Sequence, residues 1–392
     1  MTQHILGVAR TLPFHSIGGM QAIAWDLFRE FARLGHKVTV ITTSIPGKKT
    51  PFVADGVHVI PLEGTRPERC DSRWWQASAQ WFENAIQNDK FEGILSVSSA
   101  GAEIARRRNK LPGARFVFQA HGSSWGELVS KWRTGRPIQL LKSVRNLYWL
   151  IKDPFVYRKF DHIAVVSDVL MTEFNSPPIN WLTSKSAKIL IRNGVNEHVF
   201  HPNNAARSRV RKELGWLESD HVAVFAARLH PQKGGEATLK AFQHLRINLP
   251  SAKLLFIGGG EDLDRLRLIA AELGCSDQVH FTGSLAREEV APLLSTGDVF
   301  VFPTLRREGL TMNVLEALAC GMPAVCSLGT KSDFTSSLSI HYVDPTNVAA
   351  ISSAMKAAMS RIRSESSLLT TDYSLAGCAQ RYLDILLLKR GG

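Results

Sequence analysis

Two successive series of short apolar runs, each run followed by a helical pattern, fill this chain and restrict its fold more than any other feature. In the first half, Ile5-Leu6-Gly7-Val8-Ala9 gives way to a helical pattern from about Met20 to Leu34, then to Lys37-Val38-Thr39-Val40-Ile41. Strand, helix, strand in that order implies parallel strands joined by a crossover helix. Runs at 93–97, 115–120, 162–166 and 187–191 continue the series and predict a doubly wound sheet of about six or seven strands. A second series opens at His221-Val222-Ala223-Val224-Phe225-Ala226-Ala227 and continues at 252–257, 278–282, 298–302 and 323–326. Helical patterns at about 235–248, 263–273, 288–295 and 311–320 separate these runs. The fold class expected is α/β, with two Rossmann-like doubly wound domains facing across a cleft. Gly, Asn and Pro at high density between Asn193 and Asn204 mark the linker. The expected domains are therefore 1–200 and 201–370. The segment 371–392, apolar at Leu383, Ile385, Leu386 and Leu387, is expected to form a helix that packs back toward the first domain.

A length of 392 residues with 44% hydrophobic and 21% charged residues supplies two cores and argues against wholesale disorder. The five cysteines, Cys70, Cys275, Cys320, Cys326 and Cys378, show neither disulfide-framework nor zinc spacing. Met1 to Arg10 has no charged leader and apolar core, and no run of about 18 uncharged apolar residues occurs. The expectation is a cytoplasmic protein that does not span a membrane. The net charge of +12 is uneven: residues 1–200 hold 26 Lys/Arg against 16 Asp/Glu, and 13 of those cations lie in 106–159 beside only Glu127 and Asp153. Residues 138–160 read as one helix with apolar Leu140, Leu141, Val144, Leu147, Tyr148 and Ile151 interleaved with cations. That pattern suits either a core helix with a solvated basic face or peripheral docking on the anionic inner face of the plasma membrane.

Ligands of open parallel sheets bind beyond the carboxyl ends of strands, and five chemistry-bearing features fall there. After Val299-Phe300-Val301-Phe302-Pro303 comes Glu308-Gly309-Leu310-Thr311-Met312-Asn313-Val314-Leu315-Glu316. A strand running into a Gly turn and a helix offers free N–H groups to an anion. Glu308 precedes that cradle, and Glu316, about two turns on, can accept paired hydroxyls from a ribose or a sugar. An ordinary helix with one solvated Glu would give the same spacing. Arg228-Leu229-His230-Pro231-Gln232-Lys233-Gly234 puts two cations on the loop after the first strand of the second half, a diphosphate trap. Gly18-Gly19 lets a phosphate or acceptor approach the first strand-to-helix turn, or simply makes that turn tight. His121-Gly122 ends a strand and places an imidazole where it can meet a sugar hydroxyl or move a proton. Asn193-Gly194 reads as a turn at the hinge.

Taken together, these segments resemble the retaining glycosyltransferases of family 4, which have the GT-B architecture, over nearly the whole chain. The resemblance is carried by Gly18-Gly19 with Arg33-Leu34-Gly35-His36-Lys37-Val38, by Asp161 through Ser167, by Ile191 through Asn196, by Ala227-Arg228-Leu229 with Lys233-Gly234, and by Glu308 through Pro323. It implies that Arg228 and Lys233 hold the diphosphate of a nucleotide-sugar donor and that Glu316 binds its ribose. Glu308 would contact the transferred hexose beside the backbone of Gly309, Leu310 and Thr311, with His121 near the donor sugar and Gly18-Gly19 on the phosphate and acceptor side. The first domain would serve the acceptor, a glycan or lipid-linked alcohol, and the second the nucleotide-sugar. The implied enzyme is a hexosyltransferase of bacterial polysaccharide or lipopolysaccharide assembly, with no cofactor beyond its co-substrate. Two departures stand out: Ser327-Leu328-Gly329-Thr330-Lys331-Ser332-Asp333 replaces the usual Gly-Gly and acid, and Thr311 takes a position usually apolar, where it would cap a helix. Asp262-Leu263-Asp264 matches a metal-binding pair formally, but acids at a helix start serve capping and dipole roles, so no metal is expected. Rival readings are a nucleotide-sugar epimerase, a silent sugar-nucleotide binder, or a basic nucleic-acid-binding protein; the last accounts for none of the second-half motifs, and no nucleic acid is expected as a partner.

Overall fold

The computed structural model describes residues 2–16, 18–122, 152–306, 309–331, 339–361 and 363–388. They divide into two compact units, Met1–Gly194 with Leu375–Gly392, and Val195–Ser374.

The first unit is an eight-stranded sheet of β1 (His4–Val8), β2 (Lys37–Thr43), β3 (Phe52–Ala54), β4 (Val57–Leu62), β5 (Gly93–Val97), β6 (Arg115–Ala120), β7 (His162–Val165) and β8 (Ala187–Leu190) in the order β3-β4-β2-β1-β5-β6-β7-β8. All pairings are parallel except β3 with β4. The sheet exceeds the expectation by the hairpin β3–β4, whose turn is Asp55-Gly56 with φ of 49° and 80°. Two adjacent left-handed residues are what a type I′ hairpin requires, and Asp-Gly is its sequence signal. Helix Gly19–Arg33 buries Ala24, Leu27, Phe28 and Phe31 against one face, at the three- and four-residue spacing of an amphipathic helix. The last helix, Leu375–Leu386, belongs to this unit and buries Cys378, Ala379, Tyr382, Leu383 and Leu386 in the same core.

The second unit is a fully parallel six-stranded sheet of β9 (His221–Ala226), β10 (Ala252–Ile257), β11 (Val279–Phe281), β12 (Val299–Phe302), β13 (Ala324–Ser327) and β14 (Ile340–Val343), ordered β11-β10-β9-β12-β13-β14. β12 is buried along its whole length, as a strand covered by helices on both faces must be. β14 is an edge strand that the apolar pattern did not reveal, because three of its four residues are only half-buried. Arg211, fully buried, donates to the carbonyls of Thr296, Leu217, Glu218 and Asp220 and pairs with Asp298 at 3.0 Å. It locks helix Asn204–Glu213 onto the amino end of β12. Val195 N donates to Tyr373 O at 2.8 Å, so the chain enters and leaves this unit at one place.

Of the basic stretch 138–160, residues 138–151 lie outside the described residues. Its described end is helical over 152–157 and buries Tyr157 and Phe160 in a second core of the first unit, with Phe116, Phe118 and Phe174, while Lys152, Phe155 and Arg158 stay exposed. Among the described residues no helix is long and apolar enough to cross a membrane.

Candidate functional site

At the carboxyl edge of the second sheet, the loop carrying Arg228 is held from below by backbone. Leu229 N donates to Gly259 O at 2.9 Å and Asp262 N to Leu229 O at 3.2 Å. Glycine is required for that approach: a Cβ on Gly260 would lie 2.1 Å from Leu229 O, and one on Gly258 2.3 Å from Ala227 O. The Gly258-Gly259-Gly260 run thus packs under the arginine loop, whose Arg228 side chain is exposed at the rim. Lys233 ends a 3₁₀ turn, its Nζ 5.6 Å from the centre of the Phe302 ring.

The next clasp joins this loop to the one after β12. Gln232 O accepts from Leu305 N at 2.9 Å and from Thr304 Oγ1 at 3.1 Å. Gly234 has φ +86°, and a Cβ there would stand 2.1 Å from Pro303 O. Only glycine permits both the left-handed turn and the contact.

Helix Met312–Ala319 completes the edge. Gly309, at φ +68°, turns the chain into it, and Thr311 sits at its N-cap in extended backbone. The expected threonine cap is not made. Thr311 Oγ1 donates instead to Asn313 Oδ1, which also accepts from Val314 N at 3.1 Å, while Asn313 Nδ2 donates to Ala226 O at 2.8 Å. Asn313 therefore takes the acceptor role and sews the helix start to the end of β9, two residues before Arg228. Sequence reading missed this residue; an Asn two positions inside the expected helix start was the available signal. Glu316 is anchored too: its Oε1 accepts from Arg287 Nη2 at 2.9 Å, with side chains 13% and 20% exposed. Arg287, also missed, lies with its guanidinium 5.2 Å from the Phe200 ring centre. Glu308 lies outside the described residues. The structure thus gathers Arg228, Lys233, Gly309, Leu310, Thr311 and Glu316 on one edge, with backbone N–H groups and cations suited to a diphosphate and a carboxylate suited to a diol.

Asp262 and Asp264 diverge. Asp262 is buried and accepts from Arg265 at 2.7 Å, whereas Asp264 is 92% exposed. Asp262 stands at the helix N-cap but makes no side-chain cap bond there, because Arg265 holds its carboxylate. The pair is not arranged to share one cation.

In the first unit, Gly18 and Gly19 form the N-cap and first residue of the helix that follows β1, and His121 directly follows β6. Gly18 is in ordinary extended backbone, and the space a Cβ would take at Gly19 is open for 4 Å. His121 is half-buried with Nε2 fully enclosed and no partner for that atom among the described residues. Burial pushes its imidazole down to about 4, so the ring is neutral near pH 7. Between them, after β5, Ser98 holds φ +52°, clamped by Ser96 Oγ donating to its carbonyl at 2.6 Å. A non-glycine residue in that region at a ligand edge marks local constraint, and nothing in the Ser-rich sequence announced it.

This geometry agrees with comparisons to known proteins. Residues 206–361 match the family described as glycosyl transferases group 1, and residues 18–176 match the glycosyl transferase 4-like domain. The chain is 33% identical to the putative glycosyltransferase EpsD of Bacillus subtilis over 83% of its own length and 79% of that protein's. It is 35% identical to a GDP-mannose-dependent alpha-(1-6)-phosphatidylinositol monomannoside mannosyltransferase of Mycolicibacterium smegmatis over 41% of this chain; the match spans 44% of that relative's length. The crystal structure of Anabaena HepE in complex with UDP-glucose superposes with a TM-score of 0.65 at 15% identity, covering 98% of this chain and 95% of that one, a likeness of fold. With two α/β units built on parallel sheets and family-model matches across both, this chain belongs to the group 1 glycosyltransferase family and has the GT-B fold.

Proposed function

We propose that the enzyme moves a hexose, with retention of configuration and without a metal ion or other cofactor, from a nucleotide-diphosphate sugar to a hydroxyl of a glycan or lipid-linked acceptor. The setting we assign is bacterial cell-surface polysaccharide or lipopolysaccharide assembly. The observation that carries this reading is the clasp through Gln232 O and Asn313, which puts the Arg228–Lys233 loop and the start of helix Met312–Ala319 on one edge of the sheet.

Departure of a nucleoside diphosphate leaves negative charge on its phosphate oxygens. Arg228, Lys233 and the N–H groups at the helix start face that charge and stabilise it more in the transition state than in the bound donor. Glu316 receives the ribose, and Glu308 the hexose beside Gly309. The departing phosphate takes the acceptor's proton, so the two carboxylates bind rather than attack. His121, neutral at pH 7, serves as a hydrogen-bonding group toward the sugar rather than as an acid. The engagement of Asp262 by Arg265 supports metal independence. The mannosyltransferase relative names GDP-mannose and the HepE structure holds UDP-glucose, so likeness alone leaves the donor base open. The basic stretch 138–160 is assigned to docking on anionic lipid beside a lipid-linked acceptor.

Thermal shift with UDP, GDP and ADP, followed by transfer assays with the sugars of the nucleotide that stabilises, tests this reading. Arg228→Ala and Glu308→Gln should each lower turnover at least about tenfold, and exhaustive chelation should leave turnover unchanged. Near-wild-type rates in both variants, or donor epimerisation with no transfer to any acceptor, would overturn it.

A further inference from the structure

We infer that Arg287 is the positioning residue for Glu316 and that it sets the enzyme's preference for a ribose over a deoxygenated sugar in the donor nucleotide. The inference rests on the reading that Glu316 meets the ribose. A glutamate has three rotatable side-chain bonds, and a diol is recognised well only when the carboxylate plane is fixed beforehand. Arg287 supplies that fixing. Its Nη2 donates to Glu316 Oε1 at 2.9 Å, and its guanidinium lies over the buried Phe200 ring with 5.2 Å between centres. Its own backbone is secured as well: Arg287 opens helix Arg287–Leu294, whose start is closed by Ala286 N donating to Glu289 Oε2 at 2.7 Å. Arg287 touches no reacting atom in this scheme; it acts through Glu316.

The test is calorimetric. Kd is measured for the nucleoside diphosphate that stabilises the wild type and for its 2′,3′-dideoxy counterpart, in wild type, Arg287→Ala, Arg287→Lys and Glu316→Gln, with Tm recorded for each. The wild type should favour the ribonucleotide by about tenfold or more. Arg287→Ala should weaken ribonucleotide binding about tenfold while leaving the dideoxy Kd unchanged, so that the preference collapses. Arg287→Lys, which keeps a cation at this position, should recover part of it and remains informative if the alanine variant fails to fold. Equal weakening of both nucleotides would make Arg287 a phosphate contact or a structural prop and overturn the inference. A preference intact in Arg287→Ala but lost in Glu316→Gln would overturn it while sparing the ribose reading. A preference intact in Glu316→Gln, or absent from the wild type, would overturn both.

Discussion

The ligand edges of the two units are built differently. In the second unit, the loops after β9, β10 and β12 are packed backbone to backbone, with Gly234, Gly258 and Gly260 each leaving no room for a Cβ and with Gln232 O and Asn313 bridging loop to loop. In the first, Gly19 opens onto free space and His121 encloses an imidazole nitrogen with no described partner. Among the described residues, the contrast is between an edge where glycines let backbone pack on backbone from loop to loop and one where Gly19 stands open and a local clamp holds Ser98. On the reading proposed above, the second unit's edge suits a diphosphate, which needs several donors fixed at once because their value depends on not reorganising.

That comparison breaks first at Gly234. Gly234→Ala meets both an unfavourable left-handed φ and a backbone oxygen at 2.1 Å, and should cost roughly 2–4 kcal/mol or more in unfolding free energy. Urea titration gives the number, and nucleotide binding should be lost even in the folded fraction; retention of both would show that the clasp is dispensable.

A middle-sized effect is expected at His121. Its folded pKa, down to about 4, lies below the ordinary value of about 6.5, so the unfolded chain takes up the proton first as pH falls. The stability from burying the neutral ring is present above about pH 6.5 and lost progressively toward pH 4, at most about 3 kcal/mol. Urea midpoints at several pH values between 7.5 and 4 should fall more steeply for the wild type than for His121→Gln; parallel curves would count against an enclosed imidazole.

The smallest effect sharpens the contrast from the other side. Gly19→Ala adds a methyl in open space at the first residue of a helix and should stabilise by about 0.5–1 kcal/mol. A loss of stability at Gly19 comparable to that at Gly234 would erase the distinction between the edges.

Much of the fold was legible because strands buried on both faces must be apolar along their length, and helices covering them must repeat at three to four residues. β1, β2, β5, β6, β9, β10 and β12 announced themselves that way. β3, β4 and β14 did not: β3 is three residues long, β4 alternates buried and half-buried residues up to Pro61, and β14 is half-exposed; β3 and β14 are edge strands, which owe their pairing to a neighbour rather than to their own pattern. The cations at Arg228 and Lys233 were legible as well, because a loop between a buried strand and a helix in a parallel sheet has a known side.

The sequence by itself determined two α/β units, the positions of their ligand loops, and the residue types that belong to this glycosyltransferase family. Tertiary structure decided which charged groups are buried in the fold and which stay exposed at the carboxyl edge of the sheet. Arg211 and Arg228 are the same residue type only 17 positions apart in the numbering, yet one is fully buried among carbonyls at the amino end of β12 and the other is exposed at the opposite edge. Glu316, which the sequence offered either as a diol acceptor or as a solvated helix residue, is held by Arg287, and Asp262, expected to serve the helix start, is held by Arg265. Spacing along a chain sets which face a side chain leaves from; only packing between distant segments sets what it meets, because the partners of Glu316 and Asn313 lie on other elements brought near by the sheet order.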